Sequence, residues 1–326
     1  MPTIRDISEY TGLAFGTVSK YLNGGNVRPE NRALLDEAVS KLHYRMNYAA
    51  RTLKRQRSNT IGVVLPAVSL AGMGGVLTAL DRTLLRQGYS MILCTYAEDA
   101  PERDKIRLLS GNTDGLVILP SEIGATEIAT LCEGIPVVTL DCVFPDAVFD
   151  SVLPDYFGAA YRAAEYLFSR QHRSIGAIWG GQNAYAVAEL KSGFMRAFQD
   201  RGLMPDETLL FDGDCSFAQG YELFLRLMAQ KNPPNAILVT SAMMSMGAEA
   251  AAKDRGLALM QDIDLVGFGD QGIYRIPGRQ IPILELSGEA VGVAAAELIL
   301  NRLTEGAEAM PVVRRIKAEL RSVNNQ

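Results

Sequence analysis

A small all-α head carrying a helix-turn-helix, followed by a two-lobed α/β core, is the architecture this chain predicts, and three observations predict it. Residues 3–54 carry helix start and stop signals and a basic charge found nowhere else in the 326 residues. From Thr60 onward, short apolar strands alternate with amphipathic stretches, the rhythm of parallel sheets with helices on both faces. That rhythm restarts after residue 157, which gives material for two similar lobes plus late segments able to cross back.

In the head, Thr3 and Asp6 have the spacing of a capping box, so a first helix should begin at Ile4 with the carboxylate at its positive end. Gly12 breaks that helix. Val18 and Leu22 fall four apart, so a second short helix turns both inward and presents Phe15, Gly16, Ser19 and Lys20 outward. Two short helices around a glycine turn make a helix-turn-helix. Asn23-Gly24-Gly25 stops the second helix, because these residues tolerate positive φ. Pro29 suits the first position of a third helix, whose expected apolar stripe is Leu34, Leu35, Ala38, Val39 and Leu42.

Lys54 to Asn59 is polar and basic without apolar periodicity, and reads as a linker. Strands are then expected at Ile61–Leu65, Met91–Thr95, Leu116–Leu119 and Val137–Leu140, with helices at 74–87, 101–110 and 125–133 between them. The second series expects helices at 157–169, 188–201, 217–231 and 243–256 around strands at Ile175–Trp179, Leu209–Phe211, Ala236–Thr240 and Ile263–Gly267. Ile283–Leu286, a helix at 288–304 and Val312–Ile316 complete the chain.

Overall net charge is −5, which taken alone argues against nucleic acid, but the average conceals a split. Residues 1–58 hold ten Lys and Arg against five acidic residues, net +5, leaving 22 basic against 32 acidic, net −10, in the remainder. A basic head on an acidic body confines attraction for phosphate to one end. Cys94, Cys132, Cys142 and Cys215 form no CxxC pair, and with only His43 and His172 present no dedicated metal site and no cofactor is expected. No apolar run reaches membrane-spanning length and Arg5 and Asp6 stand where a signal peptide would be apolar, so a cytoplasmic protein without membrane contact is expected.

Four ordered motifs in the head, T-I-x-D-I-x-E-Y-x-G, T-V-S-K-x-L-N, R-P-E-N-R and L-H-Y-x-x-N-x-A-A-R-x-L, resemble the DNA-binding head of LacI/GalR-type bacterial transcription regulators. The resemblance implies that the second helix enters the major groove and that a hinge helix after the third wedges a leucine into the minor groove. Carried over, Phe15, Gly16 and Lys20 would read bases, with Thr17, Ser19 and Asn23 in support, and Leu53 would be the wedge beside Ala50. Thr3, Arg28 and Asn47 join them as candidate DNA contacts. Wedges of this kind unstack a base step and kink the duplex. Three positions depart from the family pattern: Ala14 replaces an N-capping Ser, Gly16 replaces a base-reading side chain, and Met46 replaces the hinge proline.

D-G-L-V-I-L at 114–119, G-I-P-V-V at 134–138, G-F at 193–194 and V-G-F-G-D at 266–270 extend the resemblance to the effector-binding core of that family, a periplasmic-binding-protein-type fold with a ligand cleft between its lobes. The implied division is a head at 1–45, a hinge helix and linker at 46–59, a first lobe at 60–157 with 286–318, and a second lobe at 158–285 with 319–326. Crossings are expected near 157, 285 and 318.

The cleft departs from the family most. Where sugar- or purine-binding members place an Arg, an Asn-Asp pair and an Asp, this chain has Leu190, Ser241 with Ala242, and Gly269, while Asp141 and Asp155 are retained. A buried polar ligand needs each of its groups paired. Three alternatives follow: a less polar effector met by Met73, Trp179, Tyr185, Leu190 or Met243, a cleft that no longer binds a ligand, or polar groups supplied from shifted positions such as Glu189 and Lys191. Trp179 serves equally as core, Asp141 and Asp155 as caps, and Glu189 and Lys191 as a solvated face.

An enzyme is not expected, since Leu77 stands where the third glycine of a dinucleotide loop from Gly72 would fall, and no nucleophile-elbow, zincin or P-loop pattern occurs. The expectation is a sequence-specific DNA-binding regulator, a repressor that binds a palindromic operator as a homodimer and is controlled by a small molecule, a sugar or a less polar metabolite. A ligand-independent or corepressor-dependent regulator, and a sensor that does not bind DNA, are the alternatives. Val76, Leu77, Leu80, Leu84 and Leu85 are either a dimer face or core. The polar tail KAELRSVNNQ is too short for a tetramerising heptad helix.

Overall fold

The computed structural model describes residues 2–22, 24–44, 57–67, 73–97, 99–121, 123–142, 144, 149–181, 184–269, 281–305 and 310–321. The chain divides into two compact units, Met1–Ser58 and Asn59–Gln326.

The head unit holds α1 (Ile4–Thr11), α2 (Phe15–Leu22) and α3 (Pro29–Lys41). Thr3 caps α1 as expected, its hydroxyl accepting from Asp6 N while the Asp6 carboxylate accepts from Thr3 N. Gly12 ends the helix at φ 68°, and Gly24 turns the chain after α2 at φ 76°, conformations that cost an L side chain energy. Ile7, Val18, Leu35 and Ala38 are fully buried together, with Leu13, Tyr21, Leu22 and Val39 against them. Burial of each large aliphatic chain contributes about 1.5–3 kcal/mol, which is what holds so small a bundle. Leu34 is a correction to the expected stripe: it is 45% exposed. Leu35, Ala38, Val39 and Leu42 already form a complete i, i+3, i+4, i+7 face, and Leu34 lies off its edge.

The second unit contains two six-stranded sheets. The first has strands β1 (Thr60–Pro66), β2 (Ser90–Tyr96), β3 (Gly115–Ile118), β4 (Val137–Leu140), β5 (Asp150–Pro154) and β11 (Val313–Ile316), in the order β11-β5-β4-β3-β1-β2 and parallel throughout. The second has β6 (Ile175–Trp179), β7 (Leu210–Asp212), β8 (Ala236–Val239), β9 (Asp264–Gly269), β10 (Ile283–Glu285) and β12 (Glu319–Arg321), in the order β12-β10-β9-β8-β6-β7 with only β12 antiparallel. The inner strands β1, β3, β4, β6, β8 and β9, apolar and buried along nearly their whole length, are what a parallel sheet covered on both faces requires.

Helices α4 (Gly74–Arg86), α5 (Glu102–Ser110) and α6 (Ala125–Leu131) cover the first sheet, together with the late α11 (Gly288–Glu305). Helices α7 (Tyr156–Ser169), α8 (Ala184–Gln199), α9 (Phe217–Met228) and α10 (Ala242–Asp254) cover the second. The chain passes between sheets at Asp155, returns between Glu285 and Gly288, and passes again between Ile316 and Glu319. The first passage falls two residues before the expected 157, because Tyr156 already packs in the core of the second lobe.

Three further expectations are corrected. The helix expected from 188 starts at Ala184, and strands β5 and β12 were not expected. β5 opens with Asp150, a residue that normally signals a loop, but Asp150 is buried and chelated by Arg302.

Close helix packing shows at Gly292 on α11, where an added Cβ would lie 2.2 Å from the Val76 carbonyl oxygen of α4. Gly292→Ala should therefore lower stability by about 1–3 kcal/mol in urea unfolding, the overpacking cost exceeding Ala's helix preference of about 1 kcal/mol. A variant as stable as the parent would show that α4 and α11 can part freely.

Candidate functional sites in the head and the cleft

In the head, α2 presents the expected face. Phe15 is 52% exposed, Gly16 and Lys20 are exposed, Thr17 and Ser19 are half-buried, and Val18 anchors the helix in the core. The Gly25 N–H donates to the Lys20 carbonyl at 2.8 Å, closing the end of the helix. Thr3 and Arg28 are exposed at the starts of α1 and α3. Asn23, Asn47, Ala50 and Leu53, and with them the hinge helix, lie outside the described residues. Residues 2–44 contain five basic and five acidic residues, so the basic excess of the head belongs to the segment 45–57 that leaves it.

α4 turns most of the proposed dimer-face residues inward. Val76, Leu80 and Leu84 are core, Leu77 packs against it, and only Leu85 stands out at 65% exposure.

The expected cleft would lie at the carboxyl ends of the two sheets, where each strand order reverses direction around β1 and β6. Asp141 follows β4 at φ 50° and is buried, accepting a 2.9 Å hydrogen bond from the Tyr156 phenol. Burial pushes its carboxyl up to about 7, an effect the Tyr156 bond only partly offsets. The Tyr156 phenol is itself pushed well above its ordinary value by burial and by Asp141, with Tyr185 and Cys215 close enough to add to the effect.

Asp155 caps α7, accepting from Gly158 N at 2.9 Å, and pairs with Arg162 at 3.3 Å. Tyr185 is half-buried, and its hydroxyl accepts from Arg315 Nη1 at 3.0 Å. Ser241 occupies the N-cap position of α10 and reaches the Cys215 carbonyl at 3.5 Å. Met243 is exposed, Met73 is half-buried against the first-lobe core, and Gly269 ends β9.

Two expected cleft residues lie in the core, which corrects Leu190 and takes the core alternative for Trp179. Leu190 is 0% exposed inside the second-lobe core, and Trp179 is 2% exposed, edge-on to Phe194 at 5.2 Å. Leu190 removes the side chain that would have projected as an arginine and fills the core instead. Of the shifted polar candidates, Lys191 pairs with Asp212 at 2.6 Å on the solvated face, whereas Glu189 lies 3.8 Å from Arg315.

Tyr156, Arg315 and Cys215 were missed from the sequence. Arg315 is 130 residues from Tyr185, and no local signal could have paired them. Among the described residues no group of three or more His, Cys, Asp or Glu could hold a metal, and no helix is long and apolar enough to cross a membrane.

Residues 58–321 match the family described as periplasmic binding proteins and sugar binding domain of the LacI family. The HTH-type transcriptional repressor PurR of Edwardsiella ictaluri (strain 93-146) is 30% identical over 319 residues, covering 94% of this chain and 92% of that protein. Among solved structures, the Lac repressor dimer bound to operator and the anti-inducer ONPF superposes with a TM-score of 0.84 at 20% identity, covering 98% of this chain and 97% of that one. A transcriptional regulator CelR–cellobiose complex superposes with a TM-score of 0.72 at 23% identity, covering 98% of each chain. With a core that matches over 264 residues and a repressor relative aligned from head to core, the chain belongs to the LacI/GalR family of transcription regulators.

Proposed function

We infer that this protein is a sequence-specific DNA-binding repressor that grips a two-fold operator as a homodimer and is controlled at the cleft between its lobes. The observation that carries this reading is α2, which anchors Val18 in the core and leaves Phe15, Gly16 and Lys20 free to enter a groove, in a chain aligned along most of its length with a named repressor. One such head makes few base contacts, so two copies on a palindrome are needed for useful specificity. Leu53 beside Ala50 would supply the minor-groove wedge, and Thr3, Thr17, Ser19, Asn23, Arg28 and Asn47 the supporting contacts. Ile92 and Leu93, exposed on the edge strand β2, and Leu85 on α4 supply apolar surface for the partner.

With the first passage at Asp155, the lobes we propose are 60–155 with 286–318, and 156–285 with 319–326, hinged at the three passages. A ligand that binds two lobe arrangements with different affinity shifts DNA binding by that same difference, so that a 100-fold preference is about 2.7 kcal/mol. The polar clamp for a sugar is thin here, which favours a less polar effector meeting Met73, Tyr185, Ser241 and Met243. A DNA-binding repressor of this kind works in the cytoplasm.

The test is selection of bound duplexes from a random pool by full-length protein at near-physiological salt. A palindrome with a deformable central step is expected, and failure of a folded dimer to enrich any sequence would sink the reading. On the selected operator, Lys20→Ala should weaken binding by about 1–3 kcal/mol and relax preference at one base position. A uniform loss across all sequences with a shallower salt slope would instead make Lys20 a phosphate contact.

A further inference from the structure

We propose that Tyr156 determines the specificity of the cleft: its phenol is a built-in hydroxyl partner for Asp141, so that the cleft excludes sugars and other polyols and its lobes are joined without one. The proposal rests on reading the cleft as the regulatory site and names the class of ligand that site turns away.

Asp141 belongs to the first lobe, at the end of β4, while Tyr156 opens α7 and packs in the core of the second. The 2.9 Å bond between them therefore joins lobe to lobe, in a place that is almost fully enclosed. A carboxylate at the carboxyl end of a strand is the natural acceptor for a ligand hydroxyl, and here the chain presents a hydroxyl of its own. A polyol competing for Asp141 Oδ2 would have to displace a buried aromatic ring and leave its phenol without its acceptor, a penalty that a single sugar hydroxyl does not offset.

The second lobe-to-lobe contact has the same character. Arg315 on β11 of the first lobe donates to the Tyr185 hydroxyl at 3.0 Å and faces Glu189 at 3.8 Å, both on α8 of the second. Glu189 neighbours Leu190, the position where an arginine is absent, so the cation comes from the other lobe and meets the protein's own carboxylate. Two of the polar groups best placed to hold a polyol thus hold the opposite lobe instead.

The test uses full-length wild-type protein, Tyr156→Phe and Arg315→Ala, with hydrogen exchange of the passages 285–288 and 316–319 measured without DNA. Cellobiose and ribose at about 10 mM should leave wild-type exchange unchanged, whereas each folded variant should exchange there about fivefold or more faster, because bonds that keep those segments shut are gone. On the selected operator the two variants should shift Kd in the same direction and the sugars should not shift it for wild type. Slower exchange of the wild type in either sugar, or wild-type exchange in both folded variants, overturns the proposal. Tyr185→Phe, which removes the acceptor of Arg315 and keeps the ring, gives the same answer if Arg315→Ala does not fold. Because exchange is read without DNA, the proposal is decided even where no operator is found, and the two failures stay separate.

Discussion

Arg302→Ala is expected to lower the free energy of unfolding by about 3–5 kcal/mol, the cost of stranding a buried charge when its partner is removed. The guanidinium of Arg302 meets Asp150 through two bonds of 2.7 Å, with the arginine side chain 12% and the aspartate 2% exposed. The same guanidinium donates to the Met310 carbonyl at 2.8 Å, and Asp150 also accepts from Val312 N at 2.7 Å. One pair therefore fastens three separate parts of the first lobe: the start of β5, the last turns of α11, and the approach to β11. Without Arg302 the Asp150 carboxylate keeps one backbone donor in a site closed to water, and the edge strand β11 loses the anchor that precedes it. Urea unfolding of the variant and of Asp150→Asn with Arg302→Met measures this. The double replacement should cost clearly less than the sum of its parts, since it leaves no lone charge. An Arg302→Ala protein within about 1 kcal/mol of wild type would mean that the pair is solvated in solution.

That pair also marks the boundary of what the amino-acid order reveals. Local signals are legible in the sequence: the Thr3 cap, the turns at Gly12 and Gly24, and Pro29 at the start of α3 depend on residues within one turn of each other. The strands Val137–Leu140 and Ile175–Trp179 are legible to the residue because short runs of mainly apolar residues signal a strand covered on both faces. β5 was not, since Asp150 reads as a loop until Arg302, 152 residues later, is known to neutralise it. The cleft was the least legible part. A motif position says which strand end or helix a residue occupies, but Leu190 and Trp179 turn into the core by side-chain direction and by Phe194 across from them. Tyr156 gained its role from an aspartate 15 residues earlier on another lobe, which no periodicity records.

Asp141→Asn should stabilise the protein at alkaline pH and do little in acid. Folded Asp141 keeps its proton up to about 7, against an ordinary 3.8, because burial disfavours the charged form more than the Tyr156 bond supports it. Between those values the unfolded chain releases the proton while the folded one retains it. The stability contributed by neutral Asp141 is therefore complete below about 3.8 and is lost as pH rises through about 7. The separation amounts to about 4 kcal/mol at most, so unfolding of the two proteins compared from pH 4 to pH 8 should show Asp141→Asn gaining about 2–4 kcal/mol over wild type at the upper end. Asparagine still accepts from Tyr156, so the gain isolates the charge from the contact. Asp264 works in the opposite sense: burial would raise it, but bonds from Arg170 and His172 outweigh burial and hold it below its ordinary value, so its contribution fades only as pH falls. Comparing variant with wild type at each pH cancels that background. A difference that stays constant across the range would show that Asp141 does not titrate there. A carboxyl held at such cost at the carboxyl end of a strand is better explained by what it binds than by what it stabilises, and the group it binds in this structure is Tyr156.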